Sequence, residues 1–203
     1  MTKLTKYVWT LTLLLALFCA GVFVADKQVL KNELIRLHVI ANSDSEADQS
    51  LKLSVRDAVI THLQKGLQDA GDTVEAKQYI QEQLEELEQV ANVTLQTLGS
   101  QDNARVFLTK EAFALREYET FSLPSGVYES LRIEIGSAEG KNWWCVVFPS
   151  LCLPATVEEF RETAVSSGFD QGLANTLSGE HGYEVRFFFL DCLGKLENLF
   201  FPD

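Results

Sequence analysis

A chain of 203 residues, 46% hydrophobic and 23% charged, is long enough for one domain with a sizeable core. Its 29 acidic and 17 basic residues give a formal net charge of −12. That balance argues against nucleic acid, whose binding needs cations to displace counterions, and against anionic lipid surfaces, which call for a basic patch.

Lys3 and Lys6 precede an apolar run at 7–25, free of charge and interrupted in polarity only by Thr10 and Thr12. A basic n-region followed by an apolar h-region is an export signal, and 19 residues also come close to the ~20 that span a bilayer. The segment therefore reads either as a cleaved signal peptide or as an uncleaved signal anchor. Residues 1–26 are assigned to it and 27–203 to a single exported domain, with membrane contact only through 7–25. Lys3 and Lys6 are the only charges ahead of Asp26, so the exported part keeps 15 basic and 29 acidic residues, a net charge of −14.

Residues 34–41 alternate, with Ile35, Leu37, Val39 and Ala41 on one face and Leu34, Arg36, His38 and Ile40 on the other. Ser43-Asp44-Ser45-Glu46 then offers several N-caps, including a Ser43…Glu46 capping box, for a helix running to about 68. Gly71-Asp72-Thr73 breaks the chain, Asp72…Glu75 caps a second helix, and Gly99 closes it. The acidic stretch 82–88 reads as its solvated face. Beyond Gly99 the pattern alternates: strands are predicted from 105–108, at 127–135, at 142–148 up to Pro149, and at 184–190, with 136–141 as a hairpin connection. Residues 157–177 read as a weakly helical, peripheral insertion. The predicted fold is α+β, a single domain with a mostly antiparallel sheet and two long helices packed on one face, preceded by an N-terminal apolar export or anchor helix.

Arg36, His38, Asn42, Asp44, Asp48, Lys52 and Arg56 crowd this strand-to-helix junction. An anion held at the helix N-terminus, with His and Asp moving protons, would make an active site of it. The bland alternative has Arg36 and His38 satisfied by Asp44, Asp48 or Asp57 while Asn42 and Asp44 make turn and cap bonds. No GxSxG, HExxH or Walker A sequence accompanies the junction, so a structural or binding role is expected, and no catalytic residues are assigned. Asp48, Lys52 and Arg56, at i, i+4, i+8, form either a solvated salt-bridged stripe or a docking stripe.

Trp143 and Trp144 are adjacent in a strand and must point to opposite faces. One is expected in the core and the other under a helix or exposed as an interface anchor. Cys145, Cys152 and Cys192 are an odd set outside the export segment; a Cys145–Cys152 bridge is conceivable, but no disulfide framework, and buried apolar cysteines are the preferred reading. No CxxC pair occurs and His38, His62 and His181 lie far apart, so neither metal nor cofactor is expected.

The motif RLHVIANSDS, followed by DQ, LKL and VRDAV, and later by Gly126-Val127-Tyr128, LRIEIG and NWWCVVFP-x-LC, resembles the stage II sporulation protein R family. The resemblance runs from about Leu34 to Cys152, with VRFFFLD at 185–191 also similar. Ser150 stands where the family more often has a second proline, and Leu153-Pro154-Ala155 replaces an aromatic-acidic continuation. The resemblance implies a sporulation signal exported from the forespore into the intermembrane space. There it would activate an integral-membrane aspartic protease of the mother cell, which cleaves pro-sigma-E. Arg36, His38, Asn42, Asp44 and Arg56, with Trp143 or Trp144, are the expected partner-binding surface. The rival reading is an exported hydrolase, or a small-ligand or cell-wall-binding domain, using Arg36, His38 and Asp44.

Overall fold

The alternation after Leu34 becomes β1 (Ile35–Ile40), a strand buried along its whole length. The computed structural model describes residues 3–149, 156–167, 169, 171–178 and 185–201. Before β1 runs α1 (Lys3–Glu33), which passes without a break across the expected boundary at residue 26. Among the described residues no helix is long and apolar enough to cross a membrane; a membrane role for 7–25 is argued from its sequence alone.

After β1 come α2 (Glu46–Asp69) and α3 (Thr73–Thr97), as their caps require. Ser45, one of the candidate caps, accepts from the Asp48 amide at 3.1 Å, while Ser43 bonds the Asp48 carboxylate instead of forming a box with Glu46. Asp72 accepts from the Glu75 amide at 2.9 Å, and the Glu75 carboxylate reaches back to the Gly71 amide at 2.8 Å. Gly99, at φ +81°, closes α3: its amide bonds Gln96 O and the Ser100 amide bonds Leu95 O. That pair of bonds is the Schellman arrangement, and it needs a left-handed residue at this position.

The strands that follow are β2 (Ala104–Phe113), the short pair β3 (Arg116–Glu117) and β4 (Ser122–Leu123), β5 (Gly126–Ile135) and β6 (Asn142–Phe148). The main sheet has the order β2-β5-β1-β6. β1 pairs in parallel with β5 and antiparallel with β6, and β2 is antiparallel to β5. The sheet is therefore mixed, correcting the mostly antiparallel expectation. The expected hairpin at 136–141 is corrected too: β5 and β6 do not pair, because β1 lies between them. Their connection crosses over the C-terminal end of β1, and a short polar loop with glycines looks the same in sequence in either arrangement.

Both long helices lie on one face, as expected. Val55, Val59, Leu63, Ile80, Leu87 and Leu95 pack on Ile35, Leu37, Val39, Leu131 and Ile133. A fully buried side chain of this kind contributes about 1.5–3 kcal/mol, so this layer carries much of the stability. The opposite face is covered over part of its length by α4 (Val157–Ser166), α5 (Gln171–Ser178) and α6 (Val185–Asn198). Phe160, Leu173, Leu177 and Leu190 join Leu30, Leu34, Phe113, Tyr128 and Val146 in a second core. Residues 157–177 are thus a covering layer rather than a peripheral insertion. The strand expected at 184–190 is corrected as well, since Val185 begins a helix.

Candidate functional site

The NSDS segment after β1 fastens the β5–β6 connection. Ser137 donates from its amide to Asn42 Oδ1 at 3.0 Å and from its hydroxyl to Asn42 O at 2.9 Å. The Gly140 amide bonds Ala41 O at 2.9 Å, and the Lys141 amide bonds Asp44 Oδ1 at 2.7 Å. A Cβ on Gly140 would lie 2.3 Å from Ser43 O, so only glycine permits this approach. Asn42 and Ser43 also donate to the Asp48 carboxylate. Those bonds, led by Ser43, hold Asp48 below the usual carboxylate range despite the opposing effect of burial. The polar motif thus ties three segments together.

The Asp48, Lys52, Arg56 stripe is neither solvated nor free to dock. It runs along the start of β6. Lys52 is buried, donates to Gln49 Oε1 at 2.6 Å and to Lys141 O at 2.9 Å, and is made less basic by desolvation. The Arg56 guanidinium rests 4.2 Å from the Trp143 ring centroid and pairs with Asp57 at 2.7 Å.

Arg36 and His38 share the opposite face of β1, as alternation demands, but meet different surroundings. Arg36 is fully buried in the second core. Its Nη2 donates to Tyr118 Oη at 2.9 Å and its cation lies 3.9 Å from the Phe113 centroid. Tyr128, also beside it, has its phenol pushed far up by burial. His38 lies beyond the covering helices on the floor of a cleft of about 480 Å³, with Glu111, Arg116, Arg132, Trp144 and the 138–140 loop. Glu111 is 2.6 Å from His38 Nδ1, and its other oxygen meets Arg132 at 3.4 Å. Arg132 and Arg105 both pair with Glu134, at 2.9 and 2.6 Å. Trp144, in register with His38 on β6, stacks on it with centroids 5.5 Å apart. The Arg116 guanidinium lies 3.6 Å from the Trp144 centroid.

The seven residues named from sequence therefore fall in three places. Arg56 and Trp143 clamp the helix side of β6, Asn42 and Asp44 bind the crossover loop, and Arg36, His38 and Trp144 lie on the far face. The tryptophans do point to opposite faces, each half-buried under an arginine. Glu111, Arg116 and Arg132 were missed. Alternation in LRIEIG places Arg132 and Glu134 on one face, but nothing local links Glu111 to a histidine 73 residues away. Cys145 is disulfide-bonded, correcting the preference for an unpaired buried cysteine there; Cys152, with which a bridge was conceivable, lies outside the described residues.

The family model described as Stage II sporulation protein R (spore_II_R) matches residues 31–158. Stage II sporulation protein R of Bacillus subtilis (strain 168) is 37% identical over 124 residues, 61% of this chain and 55% of that protein. The match thus spans little more than half of that relative's length. No solved structure matches. With the matched region running from the last turn of α1 through every strand to the start of α4, the chain belongs to the stage II sporulation protein R family.

Proposed function

We propose that this chain is an exported sporulation signalling protein that activates an integral-membrane aspartic protease of the mother cell, triggering cleavage of pro-sigma-E. The observation that carries the reading is the family match over residues 31–158. Residues 7–25 direct export from the forespore into the intermembrane space, and the domain acts there whether or not the segment is cleaved. It binds an extracytoplasmic part of the protease and favours the active state, a population shift through differential affinity that needs no chemistry from the activator.

The polar atoms of the junction are largely engaged within the fold, which leaves little of that cluster free for turnover. Asn42 and Asp44 are engaged with Ser137 and Lys141, and Arg36 lies under the second core. The hydrolase or small-ligand reading, which needs Arg36, His38 and Asp44 around one pocket, has less support, since only His38 of the three lines the cleft. The contact surface best suited to a partner is the exposed rim around His38 and Trp144. Co-purification of the full chain with the protease, followed by crosslink mapping, tests the reading. Crosslinks at the 138–144 segment are expected. No co-purification, or crosslinks confined to the outer faces of α2 and α3, would count against it.

A further inference from the structure

Carboxylates outnumber cations 29 to 17 in this chain, so a guanidinium without a carboxylate is conspicuous. Two occur within electrostatic reach of one another. Arg36 forms no ion pair among the described residues, and its Nε and Nη1 are buried without partners. Arg116 meets the Trp144 ring but no carboxylate among the described residues. Desolvation lowers its basicity, and the nearby charge of Arg36 lowers it further, against an opposing effect of Tyr118.

Arg116 stands at the cleft, where a second polar group is unmet. Glu111 is already engaged by both His38 and Arg132, and Arg132 is shared with Glu134. His38, with a side chain 9% exposed, has its Nδ1 on Glu111 and its Nε2 buried with no partner. One unmatched cation and one unmatched ring nitrogen thus flank the same indole. A single negative charge on a short apolar stem would meet the unpaired guanidinium. A doubly charged phosphate fits less well, because Glu111 and Glu139 line the same cleft and no lysine does.

We infer that the cleft is a recognition site for a carboxylate presented by a partner peptide, with Arg116 as its ion-pair ligand. Trp144 holds the stem of the acidic residue and orients the guanidinium. That the peptide belongs to the protease rests on the function proposed above; the chemistry of the cleft does not.

The test titrates the full chain in detergent with acetyl-Glu-Glu-amide, with acetyl-Gln-Gln-amide, and with acetyl-Gln-Gln bearing a free terminal carboxylate, followed by tryptophan fluorescence. Saturable binding of a carboxylate peptide is expected, at least about tenfold tighter than the neutral amide, the size of one lost charge-assisted bond. The side-chain and terminal carboxylates tell which source is preferred. Arg116→Gln should abolish the preference and Arg116→Lys should retain part of it. Equal affinity for the neutral peptide, no binding, or a preference that survives Arg116→Gln overturns the inference. Pro-sigma-E processing measured in parallel separates the two readings, and Arg116→Gln should slow it about tenfold. Normal processing by that variant overturns the partner assignment and leaves protease activation standing. Failure of the unmodified chain to support processing counts against activation, and the peptide titration then decides the cleft.

Discussion

Asn42 holds Ser137 through both main chain and side chain, with the Ser137 amide on Oδ1 at 3.0 Å and the Ser137 hydroxyl on the backbone oxygen at 2.9 Å. The contact exists because β1 separates β5 from β6, so their connection must pass over the end of β1. Asn42→Ala is expected to cost about 1–2 kcal/mol, since two or three net bonds are lost in a partly exposed setting. Urea unfolding that shows a lower midpoint with an unchanged slope would confirm it. An unchanged midpoint would mean the loop holds without Asn42.

Gly140 makes the same point from the backbone. Its Cβ would meet a carbonyl oxygen at 2.3 Å rather than a movable side chain. Gly140→Ala should therefore destabilise by about 1–3 kcal/mol, the range for forced backbone shifts in a packed site. Gly140→Ala unfolding like the parent would show that the Ser43–Gly140 approach is not obligatory.

Arg36 offers a less obvious outcome. A buried cation with two unpartnered nitrogens and no carboxylate among the described residues should be replaceable by an apolar side chain of similar length. Arg36→Met is expected to be within about 1 kcal/mol of the parent or more stable, whereas Arg36→Ala should lose about 2–5 kcal/mol by opening a cavity. Arg36→Met should also leave processing intact, because the residue is fully buried. Equal destabilisation by both variants would show that the charge itself matters.

The Asp48 carboxyl gives a pH dependence of defined sign. The Ser43 hydroxyl, with Asn42 and Ser45, holds it below the ordinary value of 3.8 against an opposing effect of burial. The folded state thus binds this proton less readily than the unfolded chain. Its contribution is full above pH 3.8 and disappears as the pH falls through the lower folded value. The stability gap between the parent and Asp48→Asn should hold from about pH 7 to 5 and close below about pH 3.8. A gap that stays constant into that acid range contradicts the assignment.

α2 and α3 were legible because their caps and stops are local: Asp72 with Glu75, and Gly99 at the end. The opposed tryptophans followed from strand alternation alone. The mixed sheet was hidden because inserting β1 between β5 and β6 is a matter of pairings far apart in sequence. Val185–Leu190 misled because a short apolar run has no decisive period. In the helix Phe188 and Phe189 are 46% and 43% exposed while Leu190 and Asp191 are buried. Asp191 accepts from the amide and hydroxyl of Ser125, a tertiary bond no local pattern announces. The junction residues, read from sequence as one cluster, divide among three places, and the partners of two of them differ from those expected. His38 is met by Glu111 and Arg36 by Tyr118, neither of them among Asp44, Asp48 and Asp57.

Protease activation is measured by pro-sigma-E cleavage in membranes reconstituted with the protease, with and without the full chain. Cleavage that depends on the chain, saturates with its concentration and falls when the Trp144 rim is altered is the predicted result. Cleavage at the same rate in its absence would contradict protease activation outright.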